Sequence, residues 1–304
     1  MNTPTVSVVI PTYNCGARLE RALDSVAAQS YASDRIEIIV VDDGSTDDTR
    51  ERVDRFVELA LVPTRYVAQA NAGPAAARNH GMRLARGEAI AFLDADDWWQ
   101  PAKLARQMPL LGGEIALAYC DTAFVDSAGQ PIDRYVRRIA MTRGDILLAL
   151  FCDFFLLTSA VIVATRAVDE VGPFNENLPV GEDYEFFLRL ARRFRADHVD
   201  QKLLVRCVRP DSLSRRDYAL DARIDLATLA DFLRDNPEFA QRHRATVRRR
   251  IARYRYDFAY RLLADGRRGE AVVELLRSLR ARASVGAART LVRALLPRAA
   301  GAHG

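Results

Sequence analysis

The chain has 304 residues, 49% hydrophobic and 28% charged, the balance of an ordinary globular protein large enough for one domain plus an appendage. Its net charge of +4 hides an asymmetry: residues 1–214 carry 30 acidic and 24 basic side chains, whereas residues 215–304 carry 20 Arg, no Lys and 10 acidic residues. The four cysteines, Cys15, Cys120, Cys152 and Cys207, are far apart with no CxxC spacing, which argues against a disulfide framework or zinc site and fits core residues in a reducing compartment.

The first residues lack the basic region and long apolar run of a signal peptide, so none is expected. Residues 6–10 read as an apolar strand, followed by the loop Pro11-Thr12-Tyr13-Asn14. A helix is expected over 17–29, with Leu19, Ala22, Leu23 and Val26 on one face. Residues 36–41 form the next strand and end in Asp42-Asp43-Gly44-Ser45. Thr46-Asp47-Asp48 then caps a helix that runs to about 59. A short strand at 65–68, a helix at 74–86 and a strand at 89–93 follow. This alternation predicts a mostly parallel sheet with helices on both faces.

Directly after the last of these strands stands Asp94-Ala95-Asp96-Asp97-Trp98-Trp99. Carboxylates packed this closely repel one another, and the usual compensation is a divalent cation shared with a substrate phosphate; an acidic loop is the plain alternative. In open parallel sheets, ligands bind beyond the carboxyl ends of the strands. The clusters at 11–14, 42–45 and 94–97 each follow such an end, so neighbouring strands would bring them to one cleft. No GxxxxGK[ST] and no GxGxxG after the first strand occurs, which argues against a P-loop or a dinucleotide fold. Residues 146–165 are long and apolar enough to raise a membrane span. Asp153 in their middle and the change from Leu-rich to β-branched composition favour a buried helix followed by a core strand.

Six segments in order carry a family resemblance: Val6 to Asn14; Val40-Val41-Asp42-Asp43-Gly44-Ser45-Thr46-Asp47; Asn71 to Gly81; Phe92 to Asp97; Gly172-Pro173-Phe174-Asn175-Glu176; and Gly181-Glu182-Asp183-Tyr184. Together they resemble the inverting nucleotide-sugar glycosyltransferases of family 2. The resemblance implies a GT-A fold, an α/β Rossmann-like, mostly parallel mixed sheet flanked by helices, over about residues 1–215. An α-helical extension follows at 216–304.

The implied roles sit beside what the residues themselves can do. Asp42 and Asp43, with backbone around Pro11, Thr12 and Tyr13, suit the N–H of a uracil or guanine ring; the alternative is a turn with helix-capping aspartates. Arg78, early in a helix, suits a nucleotide phosphate; a solvated surface Arg is the alternative. Asp94, Ala95 and Asp96 form the family's DxD element, with Asp96 the expected direct ligand of Mg²⁺ or Mn²⁺ and Asp94 a ribose or outer contact. Trp98 and Trp99 are expected to pack at the rim. Asp183 is the expected general base for an acceptor hydroxyl, although Glu182 and Asp183 would also serve as ordinary acids at a helix N-terminus. Thr158, Ser159, Glu182 and Arg209 are assigned to the acceptor side. Many relatives carry a His where this chain has Arg209; an Arg cannot ligate a metal but pairs with a diphosphate. His80 is expected to be structural.

Beyond residue 215 the chain reads as helical, with breaks at Pro237 and Gly266 and one TPR-like helix pair. The final helix places Val285, Ala288, Leu291, Val292 and Leu295 on one face, with Arg282, Arg289 and Arg293 elsewhere. A basic amphipathic helix of this kind either lies on an anionic membrane surface or packs on the catalytic domain; nucleic acid is not an expected partner. The expectation as a whole is a cytoplasmic enzyme, peripheral on the inner face of the membrane. Its donor is a nucleotide sugar, UDP favoured, and its acceptor a glycan or lipid-linked molecule. The alternative is a catalytically silent nucleotide-sugar-binding or scaffold protein, against which the retention of both Asp94–Asp96 and Asp183 argues.

Overall fold

A computed structural model describes residues 5–59, 61–132, 142–208 and 218–296. It divides into two compact units, Met1–Ser212 and Leu213–Gly304. The expected boundary at 215, Arg209, and the stop at Pro297 lie outside the described residues.

The first unit opens with the expected alternation. Strands β1 (Val6–Thr12), β2 (Ile36–Asp42), β3 (Thr64–Ala68) and β4 (Ala89–Phe92) are linked through helices α1 (Gly16–Ala27), α2 (Thr49–Glu58) and α3 (Gly73–Leu84). Every residue of β2 is buried, as parallel strands covered on both faces require. Leu19, Ala22, Leu23 and Val26 of α1 are fully buried, the face anticipated from their spacing.

One boundary differs: β1 continues through Pro11 and Thr12, which the sequence reading placed in a loop. Thr12 stands opposite Asp42, while pairing with β4 ends at Val9 opposite Phe92. Pro11 is therefore already past the ladder on the β4 side, where its missing N–H breaks no bond.

The remaining elements are β5 (Asp97–Trp99), α4 (Lys103–Gln107), β6 (Ile115–Val125), α5 (Leu147–Cys152), β7 (Val161–Ala164), α6 (Thr165–Val171), α7 (Glu182–Arg193) and β8 (Arg195–Cys207). The eight strands form one sheet in the order β3-β2-β1-β4-β7-β6-β8-β5. The β3-β2-β1-β4 half is parallel, and direction reverses at β7, which runs antiparallel to β4 and β6. The reversal brings the start of β7, and the 3₁₀ turn Thr158–Ala160 before it, to the rim where β1, β2 and β4 end. The apolar stretch at 146–165 resolves into α5, this turn and β7. No helix of the described residues is long and apolar enough to cross a membrane.

Helix α3 sits against β1 and β2 through Gly81, where a Cβ would lie 2.4 Å from Val9 Cγ1. That close approach seats the two residues before His80, Arg78 and Asn79. Beneath β5, Lys103 is wholly buried; its Nζ has no hydrogen-bond partner and stands 4.1 Å from the Trp99 ring centre.

The second unit consists of α8 (Tyr218–Asp235), α9 (Pro237–Arg242), α10 (Arg244–Ala264), α11 (Arg268–Ala281) and α12 (Val285–Leu295). Pro237 starts α9, and Gly266, at φ 76°, turns α10 into α11. Phe258, Ala259 and Leu262 of α10 share a core with Ala271 and Leu275 of α11, the expected helix pair. The last helix docks on its own unit through Ala287 and Ala294, while Val285, Val292 and Leu295 face outward.

Candidate active site

The three polar clusters do reach one rim, and they fall into two adjoining groups. The first joins the ends of β1 and β2. Asp43 N–H donates to Thr12 O at 2.9 Å, and Asn14 (φ 48°) accepts Thr46 N–H on its side-chain oxygen at 2.8 Å while its own N–H meets Ser45 Oγ at 2.9 Å. Asp42 accepts from Ser45 N–H (2.7 Å) and Tyr66 O–H (2.6 Å). Asp43 accepts from Gln69 Nε2 and from the backbone N–H groups of Ala72 and Gly73, each at 2.8 Å. It thus occupies the unpaired donors that open α3. The capping alternative therefore applies to Asp43, but the helix it serves begins about 30 residues downstream. His80 Nδ1 lies 2.9 Å from Gln69 Oε1 and so supports the same knot, in keeping with a structural role. Tyr13 is half exposed at the rim, whereas the Thr12 hydroxyl is buried without a partner.

The second group centres on Arg78. It is buried, not a solvated surface side chain, and its guanidinium bonds Asp94 Oδ1 at 2.8 Å and Glu182 Oε1 at 2.7 Å. Burial works against that charge, yet the two carboxylates hold it and raise the guanidinium above its ordinary range. Burial would likewise raise Asp94, but the Arg78 charge and hydrogen bond outweigh it and leave the carboxyl lowered. Next to Arg78, Asn79 clamps the segment before α7: it donates to Phe174 O (2.9 Å) and Glu176 Oε1 (2.7 Å) and accepts Phe174 N–H (2.8 Å).

Ser159 joins the acidic strand end to the sheet. Its hydroxyl accepts Asp94 N–H at 3.1 Å and donates to Asp97 Oδ2 at 2.7 Å, and its carbonyl accepts Trp99 Nε1–H at 2.8 Å. At 1% exposure it holds the acidic turn from within, rather than lining an open acceptor surface. Trp99 is buried, and Trp98 lies under the Arg21 guanidinium at 3.2 Å, so both pack as expected. The Ala95 side chain also belongs to the core, leaving Asp94 and Asp96 partly exposed on either side.

Asp97, which opens β5, is 2% exposed, and its Oδ1 has no partner. Burial, with the Asp94 and Asp96 charges, pushes its carboxyl up to about 8 against the pull of Arg206. Arg206 stands opposite Asp97 in the β5–β8 register. Burial opposes its charge, but Asp97, Asp94, Asp96 and Asp183 raise its guanidinium. The sequence reading missed this residue in favour of Arg209. Its signal was a cation at the end of a strand, in a segment otherwise read as a loop.

Helix α7 begins at Glu182 after Gly181, whose φ of 75° suits glycine. Asp183 Oδ1 accepts the Tyr184 N–H at 2.8 Å, and its Oδ2 takes the Thr158 hydroxyl at 3.4 Å. Burial first, then the neighbouring Glu182 charge, pushes the Asp183 carboxyl up to about 7, against the pull of Arg78. A carboxyl titrating there is suited to taking and releasing a proton at neutral pH.

Among the described residues, no group of three or more His, Cys, Asp or Glu side chains is arranged to hold a metal ion. The donor set is instead two partly exposed carboxylates, Asp94 and Asp96. Magnesium and manganese are commonly held by one or two carboxylates when a substrate diphosphate and water supply the remaining oxygens. The residues present fit that arrangement.

A sheet parallel in its first half and reversed at β7, with an acidic strand end beside a helix-borne carboxylate, follows the plan of a GT-A glycosyltransferase. Residues 7–165 match the model described as Glycosyl transferase family 2, and the chain belongs to that family. It is 29% identical over 201 residues to the chondroitin synthase of Escherichia coli, covering 65% of this chain and 28% of that protein. The mannosyltransferase PcManGT from Pyrobaculum calidifontis, solved with GDP-Man and Mn²⁺, superposes with a TM-score of 0.64 at 23% identity over 96% of this chain and 80% of that one. TarS 1-349 of S. aureus, solved with UDP-GlcNAc, gives 0.63 at 19% identity, covering 95% and 90%. At such identities the structural likeness shows the GT-A fold. The chain spans between about a third and a half of the length of the curated relatives it first matches.

Proposed function

We propose that this chain is a divalent-metal-dependent, inverting glycosyltransferase. It moves a sugar from a nucleoside diphosphate sugar, UDP favoured, to a hydroxyl of a glycan or lipid-linked acceptor in polysaccharide assembly. The observation that carries the reading is the meeting of Asp183 with the Asp94–Asp96 strand end around one guanidinium, that of Arg78.

Asp183 takes the proton of the acceptor hydroxyl as that oxygen attacks the anomeric carbon. The bond from that carbon to the diphosphate breaks, and the nucleoside diphosphate leaves with its electron pair. Thr158, bonded to Asp183, orients the carboxylate. Arg206 faces the leaving diphosphate, and Pro11 to Tyr13 with Asp42 and Asp43 shape the base pocket. A magnesium or manganese ion on Asp96 and Asp94 would supply charge neutralisation for the leaving group. Relatives that bind UDP-GlcNAc or GDP-Man support a donor of this class. The well-separated cysteines without CxxC spacing and a nucleotide-sugar donor support a cytoplasmic setting.

The test is a thermal-shift panel of UDP-, GDP- and dTDP-sugars with manganese present or chelated, followed by an assay of nucleotide release with glycan acceptors. Stabilisation by one donor class only with metal, and release that Asp183→Asn abolishes, is the expected result. Donor binding without turnover on any acceptor would instead identify a silent nucleotide-sugar-binding protein.

A further inference from the structure

Helix α12 turns Val285, Ala288, Val292 and Leu295 to solvent and packs on the core through Ala287 and Ala294, with Leu291 partly buried beside them. Val285, Val292, Leu295 and Leu296 are 68%, 57%, 64% and 57% exposed, whereas Ala287 and Ala294 are 0% and 6% exposed. Positions 285, 292 and 295 recur at helical spacing and form one row along the helix, and Leu296 follows at its C-terminal cap. The row is held in shape at both ends. Ser284 Oγ caps the first turn by accepting Ala287 N–H at 3.1 Å, and Arg268 donates to the carbonyls of Arg293, Ala294 and Leu296 at the last. Arg289 and Arg293 lie exposed beside the row, and the helix contains no acidic residue. Residues 215–304 as a whole carry 20 Arg against 10 acidic residues.

We propose that α12 is an interfacial helix that seats on an anionic lipid bilayer. Val285, Val292, Leu295 and Leu296 enter the acyl boundary, and Arg289 and Arg293 meet the headgroup phosphates. The charge selects this occupant. A second copy laid on the same face would bring its own Arg289 and Arg293 against these, cation against cation, whereas an anionic surface complements both the row and its flank. Lipid binding of this kind is independent of catalysis, so it stands or fails separately from the proposed transfer reaction.

The experiment is co-sedimentation of the full chain with phosphatidylcholine vesicles, with and without phosphatidylglycerol, at low and high salt. Wild type is expected to pellet with the anionic vesicles and to lose binding as salt rises. Val285→Ser, Val292→Ser and Leu295→Ser combined should weaken binding at least about tenfold. Arg289→Gln with Arg293→Gln should weaken it on the order of fivefold per arginine. All three side chains of the first variant are exposed, so circular dichroism and Tm should match wild type. Failure of wild type to pellet, or equal pelleting of the triple variant, overturns the proposal. So does a dimer in light scattering that the triple variant dissolves while no vesicle binds, which would assign the face to a second copy.

Discussion

Arg78 on α3 and Glu182 at the start of α7 are 104 positions apart in the chain, yet their side chains meet at 2.7 Å in the buried floor of the site. The same guanidinium holds Asp94 at 2.8 Å, so one cation bridges two carboxylates from different elements. Removing one partner of a buried pair leaves an uncompensated charge and typically destabilises by about 3–5 kcal/mol. Arg78→Met should therefore lower stability by about that amount in urea unfolding at pH 7. Part of the loss should return as pH falls and Asp94 takes up a proton. A variant as stable as wild type at neutral pH would deny Arg78 this role.

Asp183 links rate to pH. With its carboxyl pushed up to about 7, Asp183 is protonated below that point, so on its proposed role as base transfer should fall about tenfold per pH unit on the acid side and level off above. Stability should move the other way. A carboxyl whose folded pKa is raised contributes stability that is present below the unfolded value and lost as pH rises through the folded one. Asp183→Asn should consequently abolish transfer while raising Tm at pH 8, with the gain vanishing near pH 4. A pH-independent difference in Tm would contradict the buried, raised carboxyl.

Gly81 is where α3 touches the sheet, and a Cβ there would press on Val9 and Val41. Alanine is the better helix former, which argues for stabilisation. The 2.4 Å approach to Val9 wins, because overpacking a close-packed contact costs about 1–3 kcal/mol. Gly81→Ala should be less stable by denaturant unfolding, and through α3 it should also weaken donor binding by displacing Arg78.

Lys103 is a buried amine that burial pushes down to about 8 from its ordinary 10.5. The unfolded chain therefore binds the extra proton between those values, and stability rises with pH across that interval. At pH 7 the penalty is fully present. Lys103→Met should stabilise the protein by roughly 3 kcal/mol there, and progressively less above about pH 8. Chemical denaturation at both pH values checks the amount and its direction.

The parallel half of the fold was legible because its strands are continuous apolar runs and its helices keep one buried face. The strand ends carried Asp42, Asp43, Asp94 and Asp96 to one rim, as the topology rule requires. The second half was less legible. Nothing periodic announces that β7 enters antiparallel between β4 and β6, or that Ser159 turns inward to Asp97. Arg206 escaped notice because its significance lies in a cross-strand register with Asp97, and pairings over such separations leave no local signature. The last helix misled in a different way. Of the face read from the sequence, Leu291 packs on the core, and two alanines, too small to dominate the pattern, supply the anchor.

The reversal at β7 divides the rim by ancestry of contact. Residues up to Asp97 furnish one wall, and those from Thr158 onward furnish the other, meeting chiefly through Arg78, Asn79 and Ser159. A chimera that keeps those joints and imports a relative's segment from β7 to β8 would thus exchange one wall while preserving its opposite. On the proposed function, such an exchange would alter the acceptor and leave the donor unchanged.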